Sequence, residues 1–321
     1  MYAILKKINF ESRRFAMKIA TTIGEMYAYT SSTAEAVRQY KDTGFRYLDY
    51  SFYDVVTKPD HPFMSDDWKS GVLEAQEAAD ELGFKFVQAH APSCDILGPG
   101  SEIGLEATKR SVEACGMLGI KNLVVHSACV PEYKYPHDQL EYFKANEPFF
   151  KACLPLMEKY GVSILFENTT SKHCGDGNYF PIKGQDLNDF VEFMNHPLYG
   201  AIWDVGHAHM DEIDQYTEIM TMGKNLKAIH VHDNDGKRDI HTAPLLGTLN
   251  YDSLMRGLIE SGYEGYFTLE ADGFLKYTRS SRLKDPDGRL LHPTLEIKRE
   301  GLKLLYLITK TMLSAYGVYE E

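Results

Sequence analysis

Histidine and aspartate are concentrated in the stretch HVHDNDGKRDIH, residues 230–241, which directly follows the apolar run LKAI. The stretch holds three histidines and three aspartates in twelve positions. Imidazoles and carboxylates bind divalent metals and transfer protons near neutral pH. A loop of this composition taken alone is most often a solvated acidic loop. Metal or acid–base chemistry therefore requires matching groups from other parts of the chain.

Matching groups stand at the ends of other apolar, β-branched segments. A single histidine or carboxylate at such a place is usually a solvated or hydrogen-bonded polar residue. Six consecutive segments ending in this way predict instead that the groups converge on one site. The residues concerned are His90, His126, Glu167, Asp204, the pair His230 and His232, and Glu270.

The segments that end in these residues alternate with helical patterns along the chain, which indicates parallel βα units. Helices are predicted at 33–44 with Thr33 as N-cap, at 66–83, at 105–119, and at 139–161 with Pro155 bending the helix. Strands are predicted at 15–21, 45–51, 84–90, 122–128, 162–168, 201–205, 226–232 and 266–271.

Two α/β architectures accommodate eight such units, a doubly wound sheet and a closed barrel. No glycine-rich phosphate loop follows the first predicted strand, and the strand count and the 321-residue length fit a (β/α)8 TIM barrel. We expect residues 17–321 to form a single barrel domain and residues 1–16 to be an N-terminal extension. Because active sites of such barrels lie at the carboxyl ends of the strands, the six strand ends should meet at one mouth.

Composition disfavours several classes of function. The net charge of −12, without a long Lys/Arg run, argues against nucleic acid as a partner. No apolar run approaches the roughly 18 residues of a membrane span. Five cysteines, odd in number and without a C-x-x-C pair, predict reduced thiols in a cytoplasmic protein.

The strand-end groups make a hard, oxygen-rich site. Two glutamates, one aspartate and one histidine suit Mn²⁺ best, with Co²⁺, Mg²⁺ or Zn²⁺ as further candidates. Four protein ligands leave room for a bidentate α-hydroxy-carbonyl, whose enediolate the metal would stabilise while a carboxylate on each face moves a proton. His230 and His232 point the same way on a strand. We take His232, nearer the strand end, as the ligand and His230 as a buried residue behind it.

The motifs that contain these residues resemble the xylose isomerase-like barrel superfamily of sugar isomerases and epimerases, inosose dehydratases and class II apurinic endonucleases. The resemblance covers most of the chain, and the ordered set of motifs is more specific than any one of them. The motifs are HAP (90–92), VVHSA (124–128), FENTT (166–170), WDVGHAH (203–209), HVHDND (230–235) and LEAD (269–272).

The resemblance implies a metal held by four residues, two of which also act as an acid–base pair in the ketose 3-epimerases. The metal ligands would be Glu167, Asp204, His232 and Glu270, and the acid–base pair would be Glu167 and Glu270. His207, three residues after Asp204, and Arg238, six after His232, occupy positions that contact substrate in those enzymes. His207 could instead brace Asp204, and Arg238 could be a surface charge. His90, His126 and Tyr53 complete the expected substrate-binding set, with Tyr50 beside Tyr53 as a pocket wall and Glu25 more often facing water.

Other functions remain open at the level of sequence. Asp239 and His241 form a D-x-H pair that resembles the additional zinc ligands of the apurinic endonucleases, although the acidic loops oppose DNA binding. The same four metal ligands serve lyases, dehydratases and C-glycoside-cleaving subunits that act on keto-sugars. A non-catalytic sugar-binding barrel is a further alternative, against which the joint presence of Glu167 and Glu270 argues.

These observations favour a metal-dependent isomerase or epimerase whose partner is a small sugar. The resemblance further implies a homo-oligomer, either a dimer or a tetramer. No nucleic acid or membrane partner is expected.

Overall fold

The chain folds around a closed barrel of eight parallel strands in the computed structural model, which describes residues 16–58, 60–275 and 293–321. Each barrel strand overlaps one predicted segment, so the (β/α)8 TIM barrel prediction is confirmed. β1 pairs with both β2 and β10, which closes the barrel. The barrel strands are β1 (Ile19–Thr22), β2 (Tyr47–Ser51), β3 (Lys85–His90), β4 (Asn122–Val125), β6 (Ser163–Glu167), β8 (Tyr199–Asp204), β9 (Leu226–Val231) and β10 (Phe267–Leu269).

Two short strands lie outside the barrel and were not predicted. β5 (Val130–Lys134) and β7 (Asn178–Tyr179) pair antiparallel in the loops that follow β4 and β6. This pairing brings Cys129 next to Cys174, and the structure joins them in a disulfide with Cα atoms 5.3 Å apart. The expectation of five reduced thiols is wrong for this pair. The two cysteines are 45 residues apart, so local spacing carried no signal for their pairing.

Helices cover the outside of the barrel. The described helices are α1 (Thr33–Arg38), α2 (Trp68–Leu82), α3 (Ser101–Leu118), α4 (Gln139–Lys151), α5 (Leu154–Tyr160), α6 (Ser171–Cys174), α7 (Gly184–Met194), α8 (Val205–Met210), α9 (Gln215–Met222), α10 (Tyr251–Ser261) and α11 (Leu295–Ala315). The predicted ends of the helices over 66–83 and 105–119 are confirmed, since Gly83 and Gly119 cap α2 and α3 with φ of 72°. None of the described helices is long and apolar enough to span a membrane.

Two helix predictions are wrong in detail. Ser32, not Thr33, is the N-cap of α1, because its side chain accepts a hydrogen bond from the backbone N–H of Glu35. The predicted helix over 139–161 is two helices, α4 and α5. Pro155 stands in the first turn of α5, where the missing N–H costs nothing, so it does not bend a continuous helix.

Side-chain alternation along the strands determines which side chains point into the barrel. On β6, Phe166 points outward and stacks on Phe190 of α7 with ring centroids 4.2 Å apart, whereas Leu165 points inward. Val124, Leu165, Ile202 and Ala228 form a small buried cluster inside the barrel. Residues two positions further along the same strands must therefore point into the mouth.

The amino-terminal end of the described chain is tied to the carboxyl-terminal end. The backbone N–H of Met17 donates to the Val318 carbonyl at 2.6 Å, and Met17 forms an isolated parallel β-bridge with Tyr319. The predicted N-terminal extension, residues 1–16, lies outside the described residues except for Ala16.

Candidate active site

A central group of four side chains occupies the mouth above the apolar cluster. Glu167 ends β6, Asp204 ends β8, His230 lies on β9 and Glu270 follows β10, and each offers a ligand atom within 4.8 Å of the others. Asp204 Oδ2 is buried and accepts no hydrogen bond, and Glu167 Oε2 is buried without a well-aligned one, although His126 Nε2 lies 3.0 Å from it. Buried carboxylate oxygens without partners are costly. A divalent cation would satisfy both, so these residues fit a metal site.

Asp204 is held by its neighbours on both sides. Its Oδ1 accepts a hydrogen bond of 2.6 Å from the His207 backbone N–H, which makes it the N-cap of α8. The Asn168 side chain, in the motif FENTT, donates to the Asp204 carbonyl at 2.9 Å and accepts from its N–H at 2.7 Å. Burial would raise the pKa of Asp204, but the His207 and His232 imidazoles outweigh it and lower the pKa to about 2.

His230 on β9 and His232, which directly follows this strand, differ in the contacts that their ring nitrogens make. His230 Nδ1 lies 2.8 Å from Glu167 Oε1, and His230 Nε2 lies 2.8 Å from Gln88 Nε2 and 3.3 Å from Asp49 Oδ2. Both nitrogens of His232 are buried without a hydrogen-bond partner, and its Nε2 lies 3.2 Å from Asp204 Oδ1. His232 therefore has the freer nitrogens. The structure nevertheless places His230, whose Nδ1 lies 2.8 Å from Glu167 and 3.6 Å from Glu270, in the central group, and His232 in the group around Asp239.

Asp49 and Gln88 support the central group from below and were missed by sequence reasoning. Gln88 Nε2 donates to Asp49 Oδ2 at 2.9 Å, and both residues are buried against His230. A signal was available, because Gln88 stands two residues before the inward His90 and alternation places it on the same face. Asp49 and Gln88 thus fix the His230 ring, and His230 Nδ1 in turn contacts the Glu167 carboxylate.

Two further histidines approach Glu167 from the other side. His126 Nε2 lies 3.0 Å and His90 Nε2 lies 3.5 Å from Glu167 Oε2. Burial would raise the pKa of Glu167, but His230 and His126 outweigh it and hold the pKa well below its usual range. The Tyr53 ring stands edge-on to His90 with centroids 5.3 Å apart. Its predicted partner Tyr50 lies instead in the core beside Phe52 and Phe86.

A separate group surrounds Asp239. His207, His232, Asp239 and His241 offer ligand atoms within 4.8 Å of one another. His241 Nε2 lies 3.1 Å and His207 Nε2 lies 3.5 Å from Asp239 Oδ2, and the His232 and His241 rings stack at 3.7 Å. Burial would lower the pKa of His207, but Asp204 and Asp239 outweigh it and raise the pKa to about 10. Three imidazole rings around one carboxylate give this group the chemistry of a second metal site.

His173 is another residue that sequence reasoning missed. It lies on α6, and its Nε2 is 3.4 Å from Asp239 Oδ2. It stands in a short loop helix after the strand-end motif, where periodicity carries no information. Burial lowers the pKa of His173, although Asp239 acts in the opposite direction.

Two predicted positions differ from expectation. Arg238 is exposed, and its Nε and Nη2 donate to Asp235 Oδ2 at 2.9 and 2.8 Å, so the structure does not bring it to the mouth. Its position matches the alternative of a surface charge. Glu25 does not face water, because it is buried and its Oε2 lies 2.8 Å from Lys298 Nζ.

A cavity of about 820 Å³ opens above these groups. A volume of this order accommodates a small-molecule substrate. The site residues that line the cavity are Tyr53, His90, His126, His173, His207, Asp239, His241 and Glu270.

The tight fit of α8 under His232 leads to one testable prediction. A Cβ added at Gly206 would overlap the His232 ring, so Gly206→Ala is expected to displace the ring and to destabilise the fold by about 1–3 kcal/mol. Urea unfolding and the metal content per chain measure the two effects. Gly71→Ala in α2 is the control, since nothing lies within 4 Å of its added Cβ, and it should leave both unchanged or raise stability slightly. A fully stable, fully metallated Gly206→Ala variant would contradict the prediction.

Comparison with known proteins identifies the family of the chain. Residues 37–287 match the family model described as xylose isomerase-like TIM barrel. The uncharacterized protein MJ1311 of Methanocaldococcus jannaschii is 25% identical over 192 residues, covering 57% of this chain and 64% of that protein. Fructoselysine 3-epimerase of Escherichia coli O157:H7 is 43% identical over 49 residues, 15% of this chain and 18% of that enzyme. The matches thus span less than two thirds of the length of these curated relatives.

A solved structure extends the likeness over nearly the whole chain. D-psicose 3-epimerase with D-tagatose from Clostridium cellulolyticum H10 superimposes with a TM-score of 0.68 at 17% sequence identity. The superposition covers 95% of this chain and 100% of that one. At this identity the likeness concerns the fold.

Proposed function

Because the chain belongs to the xylose isomerase-like TIM barrel family, we propose that it is a divalent-metal-dependent sugar isomerase or epimerase that acts on an α-hydroxy-carbonyl through an enediolate. The observation that carries the proposal is the convergence of two glutamates on one centre. Glu167 comes from β6 and Glu270 follows β10, with β8 and β9 between them in the barrel. Their carboxylates nevertheless approach within 4.8 Å.

Two carboxylates on opposite sides of a substrate can serve its two faces. Glu270 lines the cavity and its side chain is 20% exposed, so it is placed to take a proton from carbon. Glu167 is fully buried, and the imidazoles of His126 and His230 lie 3.0 and 2.8 Å from its oxygens, so either ring can pass it the proton that it returns to carbon from the other face. This division of labour is what epimerisation at one carbon requires.

The proposed metal ligands are Glu167, Asp204, His232 and Glu270. This set is supported by Glu167 Oε2 and Asp204 Oδ2, which lack a well-aligned hydrogen bond, and by His232 Nε2, which lies 3.2 Å from Asp204 Oδ1. When bound, the cation supplies a Lewis acid for the two substrate oxygens, and oxygen-rich ligands favour Mn²⁺ over softer metals. His90, His126, His207 and Tyr53 border the cavity and are proposed to bind substrate hydroxyls.

A phosphodiesterase with several metals is the second candidate. The phosphodiesterase is favoured by two further groups of possible metal ligands, each of which could hold an ion. They are the group around Asp239 and the group of His90, His126 and Glu167. A net charge of −12 opposes binding to a nucleic acid backbone. The number of metal atoms per chain separates the two candidates.

The test combines elemental analysis with a panel of ketoses incubated in D₂O. We expect about one Mn, Co or Mg atom per chain and deuterium at one sugar carbon. A double variant, Asp239→Asn with His241→Gln, should keep this metal count, because it removes only the second group. About three zinc atoms per chain, reduced in the double variant and accompanied by no deuterium exchange, would favour the phosphodiesterase. A metallated protein that binds sugars without exchange or elimination would be a non-catalytic barrel.

A further inference from the structure

A buried ion pair lies beside the mouth and takes no part in the proposed chemistry. Glu25 stands in the short helical turn Gly24–Met26 after β1, and Lys298 stands near the start of α11. Their Oε2 and Nζ atoms are 2.8 Å apart, and the two side chains are 1% and 5% exposed. Removing two charges from water is costly, and their mutual attraction offsets that cost only in part. Such a pair stabilises the fold little relative to apolar side chains of similar size, which indicates another role.

The Lys298 ammonium also binds the turn that follows Glu270. Its Nζ donates to the carbonyl oxygens of Asp272 at 3.3 Å and Phe274 at 3.0 Å. An ammonium group has three N–H donors, and these two carbonyls together with Glu25 use all of them. No donor remains for a substrate, so Lys298 does not act by binding one.

The same turn is held on its other side by the loop that carries the second group. His241 Nδ1 lies 2.8 Å from the Glu270 carbonyl oxygen. Gly273 lies so close to the backbone of Ile240 that an added Cβ would overlap the Ile240 carbonyl. Residues 270–274 therefore lie between the Lys298 side chain on one side and the His241 side chain and Ile240 backbone on the other.

We propose that Lys298 is a positioning residue for Glu270, with Glu25 holding the ammonium in place. The proposal rests on the proposed function in assigning Glu270 to proton transfer. Glu270 follows the short strand β10 (Phe267–Leu269), and the carbonyls of the turn after it are held by the ammonium. Without these bonds the carboxylate would keep its chemistry but lose its place relative to Glu167 and Asp204.

The test compares Lys298→Met, the double variant Glu25→Gln with Lys298→Met, and Lys303→Met. Lys303 is an exposed lysine on the same helix, paired with Glu300 at 2.6 Å, and serves as the control. Lys298→Met leaves the buried Glu25 carboxylate without its cationic partner, so it should lower both Tm and kcat. The double variant removes both charges, so Tm should recover. Its kcat should stay about 10- to 100-fold below that of the wild type with KM little changed, since misplacing a reacting group by an ångström costs up to about 10²-fold.

Hydrogen exchange separates this proposal from the proposed function. Amides of residues 270–275 should exchange faster in the double variant than in the wild type and Lys303→Met, while other segments keep their rates. If the double variant regains Tm and exchanges like the wild type in this turn, the pair is only structural and the proposal is overturned. If the wild type turns over no sugar, the proposed function fails, and the exchange rates still decide whether Lys298 positions the turn.

Discussion

Glu270→Gln is expected to lower turnover by about 10²- to 10⁴-fold, the usual contribution of a positioned acid or base. Glutamine keeps the size of the side chain and its oxygen ligand but cannot accept a proton from carbon. Glu270 lines the cavity and is partly exposed, so the substitution should leave the barrel folded. Turnover is measured at saturating Mn²⁺, so that weaker metal binding does not account for the loss.

Deuterium incorporation shows which face Glu270 serves. Epimerisation needs a base on each face, so Glu270→Gln should still exchange the proton of one epimer through Glu167 while converting neither epimer into the other. Glu167→Gln should show the opposite preference. Glu264→Gln, an exposed glutamate that precedes β10, is the control and should behave as the wild type. Full turnover by Glu270→Gln would remove that residue from the mechanism.

Removing the metal is expected to abolish turnover and to lower the thermal stability of the protein. Glu167 and Asp204 each have a buried carboxylate oxygen without a well-aligned hydrogen bond, and the proposed cation would compensate both. A ligand present at a thousand times its Kd stabilises the folded state by about 4 kcal/mol. Each kcal/mol shifts Tm by roughly 2–4 °C in chains of a few hundred residues.

Calorimetry measures the change in Tm, first with EDTA and then after Mn²⁺ is added back. Adding Mn²⁺ should restore both Tm and turnover. Asp204→Asn is the matched control, because it removes one carboxylate of the central group and its Tm should respond little to EDTA. A wild-type protein whose turnover and Tm both ignore the chelator would contradict a metal-dependent mechanism.

The amino-acid sequence determined the barrel and the contents of its mouth. Apolar β-branched runs separated by helical patterns are local signals, and each of the eight runs overlaps a strand. Alternation on those strands is equally local, so Glu167 and Asp204 had to point inward once the barrel was known. The structure places the six strand-end groups at one mouth and also brings Asp239 and His241 to the same cavity.

Local patterns could not establish which of these groups pair with one another. His230 is engaged by Gln88 and Glu167 while His232 keeps both nitrogens free, although the two histidines look equivalent on the strand. Arg238 could reach the mouth by spacing but is held by Asp235. The choice in each case depends on atoms contributed by other strands or by the conformation of the loop.

The contacts between distant segments were decided by the tertiary structure alone. Glu25 and Lys298 come from opposite ends of the chain, and Cys129 and Cys174 meet only because two loops pair as β5 and β7. Periodicity reports the environment of a residue along its own element and contains no information about partners hundreds of residues away. Burial of a charge is stable only beside such a partner, so the positions of these groups follow from the closed barrel that brings the partners together.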